Sequence, residues 1–162
     1  MPVAIMPGTF DPPTRGHLNL IARAANCFDS LVVAVGENIK KTPWFPVERR
    51  VELLQASIAL DLPELADRIE VAAYRGLVVN FAAARGATVI VKGVRDGLDL
   101  AAEQIQATHN RELGGLETLL LLAEPRWQHV SSSAVKELVT WEVDPLPYVP
   151  APVAAALAHR TS

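Results

Sequence analysis

Cysteine is almost missing: the 162 residues contain one, Cys27. A single thiol excludes an intramolecular disulfide, and its place beside Ala24, Ala25 and Phe28 on a helical pattern predicts a buried structural thiol rather than a nucleophile. No apolar run approaches the ~20 residues of a membrane span. The longest lies around Leu119–Ala123, so a membrane-crossing helix is not expected. The segment Met1–Gly8 has no basic region ahead of its short apolar run and breaks at Pro7-Gly8, so it does not read as a secretion signal, and the cytoplasm is the expected location. A strong excess of either charge is also missing. Fifteen basic and 18 acidic side chains give a net charge of −3, which draws the chain neither to nucleic acid nor to an anionic membrane. Any anion must be captured locally. Internal repeats, low-complexity tracts and linkers are absent, so residues 1–162 are expected to form one domain.

What is present is a chain with half its residues hydrophobic and a fifth charged, the balance of a packed globular protein. Short aliphatic runs alternate with stretches of helical period, the signature of βαβ units. Strands are predicted at Val3–Met6, Leu31–Val35, Ile69–Ala73, Thr88–Val91 and Thr118–Leu122. The first helix places Leu18, Ile21, Ala22 and Ala25 on one face, and the second does the same with Val47, Val51, Leu54 and Ile58. Further helices are predicted over Val78–Arg85, Leu98–Leu113, Ser133–Trp141 and Val153–His159, the last entered through the proline-rich stretch Pro145–Pro152. A continuous apolar strand such as Leu31–Val35 suits a sheet covered on both faces. The expected fold is therefore α/β: a single Rossmann-like, doubly wound domain with a parallel five-stranded sheet, its ligand lying beyond the carboxyl ends of the strands.

The first strand runs into Pro7–His17, after which a helix begins. Gly8 and Gly16 permit close backbone approach, the helix start offers unpaired N–H groups, Thr9 carries a hydroxyl and His17 projects an imidazole. These are the parts of a phosphate site, although each alone also suits an ordinary tight turn. Near the other end, Trp127–Lys136 places Ser131, Ser132 and Ser133 at a helix start. Such serines serve as N-caps and equally as a nest of donors. Strand four opens into Lys92-Gly93-Val94-Arg95, and the loop after strand two holds Lys40 and Lys41. Arg15, His17, Lys41, Lys92 and Arg95 all follow strand ends, which in an acidic chain reads as a local anion funnel. On the long helix Asp99, Glu103, Gln106 and Asn110 form one polar stripe.

The string Gly8-Thr-Phe-Asp11 with Thr14-Arg-Gly-His17 resembles the paired signatures of the nucleotidylyltransferase superfamily, and Ser131-Ser-Ser133 with Lys136 resembles the element with which that superfamily grips a triphosphate. Over nearly the whole chain the pattern resembles the bacterial phosphopantetheine adenylyltransferase family. The more discriminating features are Lys92-Gly-Val-Arg95, the lysine before Pro43-Trp44-Phe45 and the stretch Gly76–Phe81. The resemblance implies that Thr9, Lys41, Val78 and Lys92 contact phosphopantetheine, with Asn110 near its phosphate or arm. It further implies that Thr9, Phe10, His17, Gly93, Val94, Arg95, Glu103, Trp127, Gln128, His129, Val130, Ser131, Ser132 and Ser133 surround ATP, and that His17, Lys41 and Arg95 carry catalysis. Magnesium is expected to arrive with ATP, with no protein metal site. A homohexamer and inhibition by coenzyme A are implied by the family alone.

The chain departs from the family on its long helix. Leu100-Ala-Ala-Glu103 stands where many relatives are aromatic-rich, and Gln106 and His109 occupy positions that are commonly apolar and would face the pantetheine arm. Trp141–Asp144 likewise replaces a glycine-rich turn. The reaction implied is attack by the phosphate of 4'-phosphopantetheine on the α-phosphorus of ATP. A phosphate dianion needs no general base, and the sequence offers neither a Ser-His-Asp set nor paired catalytic carboxylates. Two other readings remain open at this point. One is a small nucleotidylyltransferase acting on nicotinate mononucleotide or glycerol 3-phosphate; the other is a non-catalytic nucleotide-binding module.

Overall fold

The computed structural model describes residues 2–37 and 42–159. Five strands, β1 (Val3–Gly8), β2 (Ser30–Gly36), β3 (Ile69–Tyr74), β4 (Ala87–Val94) and β5 (Glu117–Leu122), form one sheet in the order β3-β2-β1-β4-β5. Every pairing is parallel. Six helices accompany them: α1 (Arg15–Cys27), α2 (Val47–Asp61), α3 (Val78–Ala84), α4 (Gly97–Gly114), α5 (Ser132–Thr140) and α6 (Ala151–Ala158). The strand order reverses direction beside β1, between β2 and β4, and such a switch point opens a crevice at the carboxyl ends of the strands. The expected doubly wound architecture is the observed one.

Alternation along the strands sorts the core. Ala4, Met6, Leu31, Val33 and Val35 face Leu18, Ile21, Leu54 and Ile58 of α1 and α2. Ile5, Val32, Ala34 and Ile90 face the opposite way, onto Val79 and Ala82 of α3. Successive residues of one strand thus anchor helices on both sides, each large buried side chain contributing roughly 1.5–3 kcal/mol. A separate cluster, including Phe45, Leu53, Val135, Val139, Val153 and Leu157, fixes α5 and α6 against α2.

Two sequence expectations change. Cys27 is exposed, not buried. It lies nine residues after buried Leu18, which at ~100° per residue turns it to the opposite side of α1. Strand β4 runs on through Val94 instead of opening into a loop after Val91, because β5 supplies partners for Lys92, Gly93 and Val94 in Leu120, Leu121 and Leu122. Lys92 therefore projects from a strand, held at a fixed height above the sheet. Gly93 leaves room for Leu20 of α1, whose methyl end would have to shift to admit a Cβ there.

One buried cation locks the crevice floor. Arg50 on α2 is 1 % exposed. Its guanidinium donates to three main-chain carbonyls: Thr9 after β1 at 2.6 Å, Gly36 ending β2 at 2.8 Å, and Phe45 ahead of α2 at 3.0 Å. No periodicity announces such a residue, since at Arg50 the helical pattern reads as an ordinary charged position.

Candidate active site

The turn after β1 ends in Thr14, the N-cap of α1, whose hydroxyl accepts the main-chain N–H of His17 at 3.2 Å. His17 answers by accepting the Thr14 N–H on Nδ1 at 3.0 Å, which closes a capping box with histidine in the place usually taken by glutamate or glutamine. The edge of the imidazole also meets the Phe10 ring, with centroids 4.9 Å apart. Phe10 is itself buried and lines none of the cavities described below. Burial, then the charges of Arg95 and Lys92, push the His17 pKa down to about 4. The ring is neutral at physiological pH.

His17 lines a cavity of ≈ 240 Å³ with Thr14, Gly16, Arg95, Trp127, Val130 and Ser131–Ser133. Ser131 caps α5 by accepting the Ala134 N–H, and Ser132 donates to the Pro12 carbonyl at 2.8 Å, so the serine segment is tied directly to the turn after β1. Two elements more than a hundred residues apart thereby share one wall. The Trp127 indole N–H is buried without a partner. A buried donor of this kind is costly unless a ligand accepts from it. Of the neighbouring positions, Gln128 turns toward a groove shared with Val94 and Arg95, whereas the His129 ring packs edge-on against Tyr148.

The second group gathers around β4. Thr9, Tyr74, Val78, Lys92, Glu103, Gln106 and Asn110 line one cavity, so three residues of the polar stripe of α4 face it, while the fourth, Asp99, does not. Lys92 Nζ lies 3.1 Å from Glu103, whose other carboxylate oxygen is buried and unpartnered. Glu103 thus stands with Lys92 and Val78 in the structure. One turn earlier Asp99 holds Arg95 in a fork, at 2.9 and 3.2 Å, and also accepts the Arg95 main-chain N–H. Burial raises the Asp99 pKa, but the bonds and charge of Arg95, aided by Lys92, outweigh this and leave it below the ordinary carboxylate range. Asn110 is buried and donates to Thr118 on β5 at 3.3 Å. His109, expected to face the same space, is exposed and does not line the cavity. Arg15 spends its Nε on the Leu146 carbonyl, so the funnel of cations is narrower than the sequence suggested. Lys40 and Lys41 lie outside the described residues.

A third cavity, ≈ 430 Å³, shares Thr9 with the second and Ser132 and Ser133 with the first, so the three are lobes of one cleft. Its floor holds groups that sequence reasoning did not assign. Asp11 is 4 % exposed. Its carboxylate accepts the main-chain N–H groups of Trp44 and Phe45 at 2.8 and 2.9 Å and pairs with Lys136 of α5 at 2.7 Å. Lys136, part of the serine-rich motif, is therefore a tie between α5 and the turn after β1. Asp11 stood in plain view within that turn, but its partners are 33, 34 and 125 residues away and leave no local trace.

Comparison with known proteins places this geometry. A family model described as cytidylyltransferase-like matches residues 5–138. The chain is 47% identical over 160 residues to the phosphopantetheine adenylyltransferase of Clavibacter michiganensis, covering 98% of this chain and 96% of that one. It is 42% identical over 155 residues to the protein of that name from Shouchella clausii, covering 95% and 94% respectively. Among solved structures, the nicotinic acid mononucleotide adenylyltransferase of Plasmodium falciparum complexed with NaAD superposes with a TM-score of 0.72 over 98% of this chain and 94% of that one. At 14% identity that likeness shows the fold alone.

Proposed function

This chain belongs to the cytidylyltransferase-like family and, within it, to the phosphopantetheine adenylyltransferases, and from that premise we infer its reaction: transfer of the adenylyl group of ATP to 4'-phosphopantetheine, giving dephospho-coenzyme A and pyrophosphate. The observation that carries this reading is a cleft with two differently equipped ends joined by Thr9 and the α5 serines.

We assign ATP to the lobe of His17, Arg95, Trp127 and Ser131–Ser133, where Gly93 and Val94 form the adjoining strand end and Gln128, His129 and Val130 complete the segment. The unpartnered indole N–H of Trp127 and the free N–H groups at the start of α5 supply donors for an anionic nucleotide. Phosphopantetheine is assigned to the lobe of Thr9, Val78, Lys92 and Asn110, with Lys41 on its phosphate. In the transfer an oxygen of the acceptor phosphate forms a bond to the α-phosphorus, and the bond from that phosphorus to the β-phosphate oxygen breaks, its electron pair leaving with pyrophosphate. The attacking group is already an anion, so catalysis is alignment and charge stabilisation. His17 donates to the α-phosphate as charge builds, with Arg95 and Lys41 beside it.

Magnesium is placed with ATP, as part of the substrate. Of the carboxylates that line the cleft, Asp11, Glu37 and Glu103 are each engaged by a cation of the protein, as is Asp99 beside it, while Glu48 stands apart from them on the first turn of α2. Assembly as a homohexamer, with coenzyme A as a feedback ligand, completes the reading. Support for assembly comes from the apolar side chains exposed along α4 and β5, namely Leu98, Ile105, Leu113, Leu119 and Leu122. No helix among the described residues is long and apolar enough to cross a membrane, and a cytoplasmic location accords with substrates of this kind.

The test is pyrophosphate release from ATP with a panel of acceptors: phosphopantetheine, nicotinate mononucleotide and glycerol 3-phosphate. Phosphopantetheine is expected to give the highest kcat/KM by orders of magnitude. A preference for either other acceptor, or no release with any of them, would overturn the reading.

A further inference from the structure

In most capping boxes the residue at the third helical position offers a carboxylate or amide oxygen to the N–H of the N-cap. Here the acceptor is His17 Nδ1, which takes the Thr14 N–H at 3.0 Å and lies 3.2 Å from the Thr14 hydroxyl. A ring nitrogen that accepts a main-chain N–H carries no proton, so the single proton of the neutral imidazole resides on Nε2. An imidazolium would carry protons on both nitrogens and would set its Nδ1–H against the Thr14 N–H. The charged groups that act on the ring push the same way: Lys92 and Arg95 of β4 repel a cation there. The α4 carboxylates that could have favoured one, Asp99 and Glu103, are bonded to those two cations. From the remaining neighbours, the Phe10 ring is neutral, as are the α5 serines that share the cavity.

We propose that Thr14 is a positioning residue for the transfer: through the capping box it fixes His17 as the neutral tautomer protonated on Nε2, so that the reacting phosphate receives an N–H and neither a full positive charge nor a proton. This rests on the reading of His17 as the donor to the α-phosphate. No proton passes between His17 and the substrates at any point. The acceptor oxygen closes its bond to phosphorus, pyrophosphate leaves with the electron pair, and the imidazole ends the cycle as it began. The capping box that starts α1 therefore also sets the chemical state of the catalytic ring: the Thr14 hydroxyl holds the His17 main chain while the Thr14 N–H holds Nδ1, linking helix capping to the transition state.

The direct test is nitrogen NMR of the full chain labelled with ¹⁵N-histidine, with His17→Gln used to assign the ring. One neutral tautomer, Nε2 protonated and Nδ1 bare, is expected to persist unchanged from pH 8 to pH 5.5. A ring that titrates near pH ~6.5, or that carries its proton on Nδ1, overturns the proposal. Turnover gives a second readout. A glutamine amide reaches the place of Nε2, whereas an asparagine oxygen can replace only the capping Nδ1, so His17→Gln is expected to turn over at least about tenfold faster than His17→Asn. The opposite order overturns the proposal. Thr14→Val is expected to lower kcat with little change in the KM for ATP and to broaden the tautomer signals, while Thr14→Ser restores both; a Thr14→Val protein with wild-type signals and kcat counts against it. Failure of the wild type to use phosphopantetheine would overturn the functional reading, and the tautomer measurement would still decide the proposal on its own terms.

Discussion

The β1 and β4 sides of the cleft, which meet in the lobe that His17 and Arg95 share, hold their functional groups in different ways. Beside β1, His17 is fixed by main-chain bonds within its own helix start, and the turn that carries it is tied to α5 through Ser132 and Lys136. Beside β4, Lys92 and Arg95 are held by carboxylates one turn apart on α4, contacts made between partly exposed side chains. The first arrangement is built before a ligand arrives. The second consists of counterions that an incoming phosphate can replace. A transition-state donor benefits from rigidity, because it contributes most when its geometry needs no reorganisation, whereas groups that capture and release charged substrates benefit from exchangeable partners.

The sharpest way to break this comparison is His17→Ala. Turnover should fall by roughly 10²–10³ while ATP affinity stays nearly intact, because the donor acts mainly on developing charge. Single-turnover kinetics beside equilibrium nucleotide binding would check it, and an alanine variant within a few-fold of wild type contradicts the assignment. Lys41→Ala should come next. We expect about a tenfold or larger loss in kcat/KM for phosphopantetheine with ATP binding spared, measured by varying each substrate in turn.

The rigid side also predicts a pH effect on stability. Burial and two cations hold His17 near a pKa of about 4 in the folded protein, against ~6.5 in the unfolded chain. The unfolded chain therefore binds the extra proton between those values. The contribution is fully present above pH ~6.5 and is lost as pH falls toward 4. Denaturant unfolding of wild type and His17→Asn should show the wild-type advantage shrinking by roughly 1–3 kcal/mol from pH 7 to pH 4, the range allowing for the ring's partial exposure. A constant difference across that window would show that the ring is not held neutral.

On the exchangeable side effects should be smaller. Asp99→Asn releases Arg95 from its fork, and we expect the KM for ATP to change only a few-fold with kcat nearly unchanged, since a partly exposed pair contributes about 0–1 kcal/mol. A loss approaching that of His17→Ala would erase the distinction between the two sides. Smallest of all should be His109→Met: the ring is exposed and outside the cleft cavity, so the variant's pH profile for phosphopantetheine should superimpose on wild type.

Much of this was legible before the structure because it depends on local pattern. The five strands announced themselves through aliphatic runs, and the turn from Gly8 to His17 brought its phosphate chemistry in one stretch. What escaped depends on partners. The end of β4 is set by β5, not by its own residues, so Lys92 was expected on a loop. The pairing of Asp11 with Lys136 joins opposite ends of the chain, and a buried aspartate reads in sequence like any turn aspartate. Cys27 shows a related gap: small neighbours in sequence suggested burial, but the face of α1 decided it. For His109, correspondence with a family position indicated the pocket, but the rotation of α4 leaves it outside, while Gln106 and Asn110, expected there as well, do line the cavity.

Arg50 carries a consequence for how this protein would look under saturation mutagenesis. Its guanidinium satisfies the carbonyls of Thr9, Gly36 and Phe45, and lysine, with a single nitrogen, cannot reproduce that three-way reach. In a growth-based scan Arg50 would score beside His17, as intolerant of every replacement, although its bonds are to main chain alone. Scored instead by cellular abundance, the two would part company: His17 variants accumulate as folded, idle protein, and Arg50 variants disappear from the soluble pool.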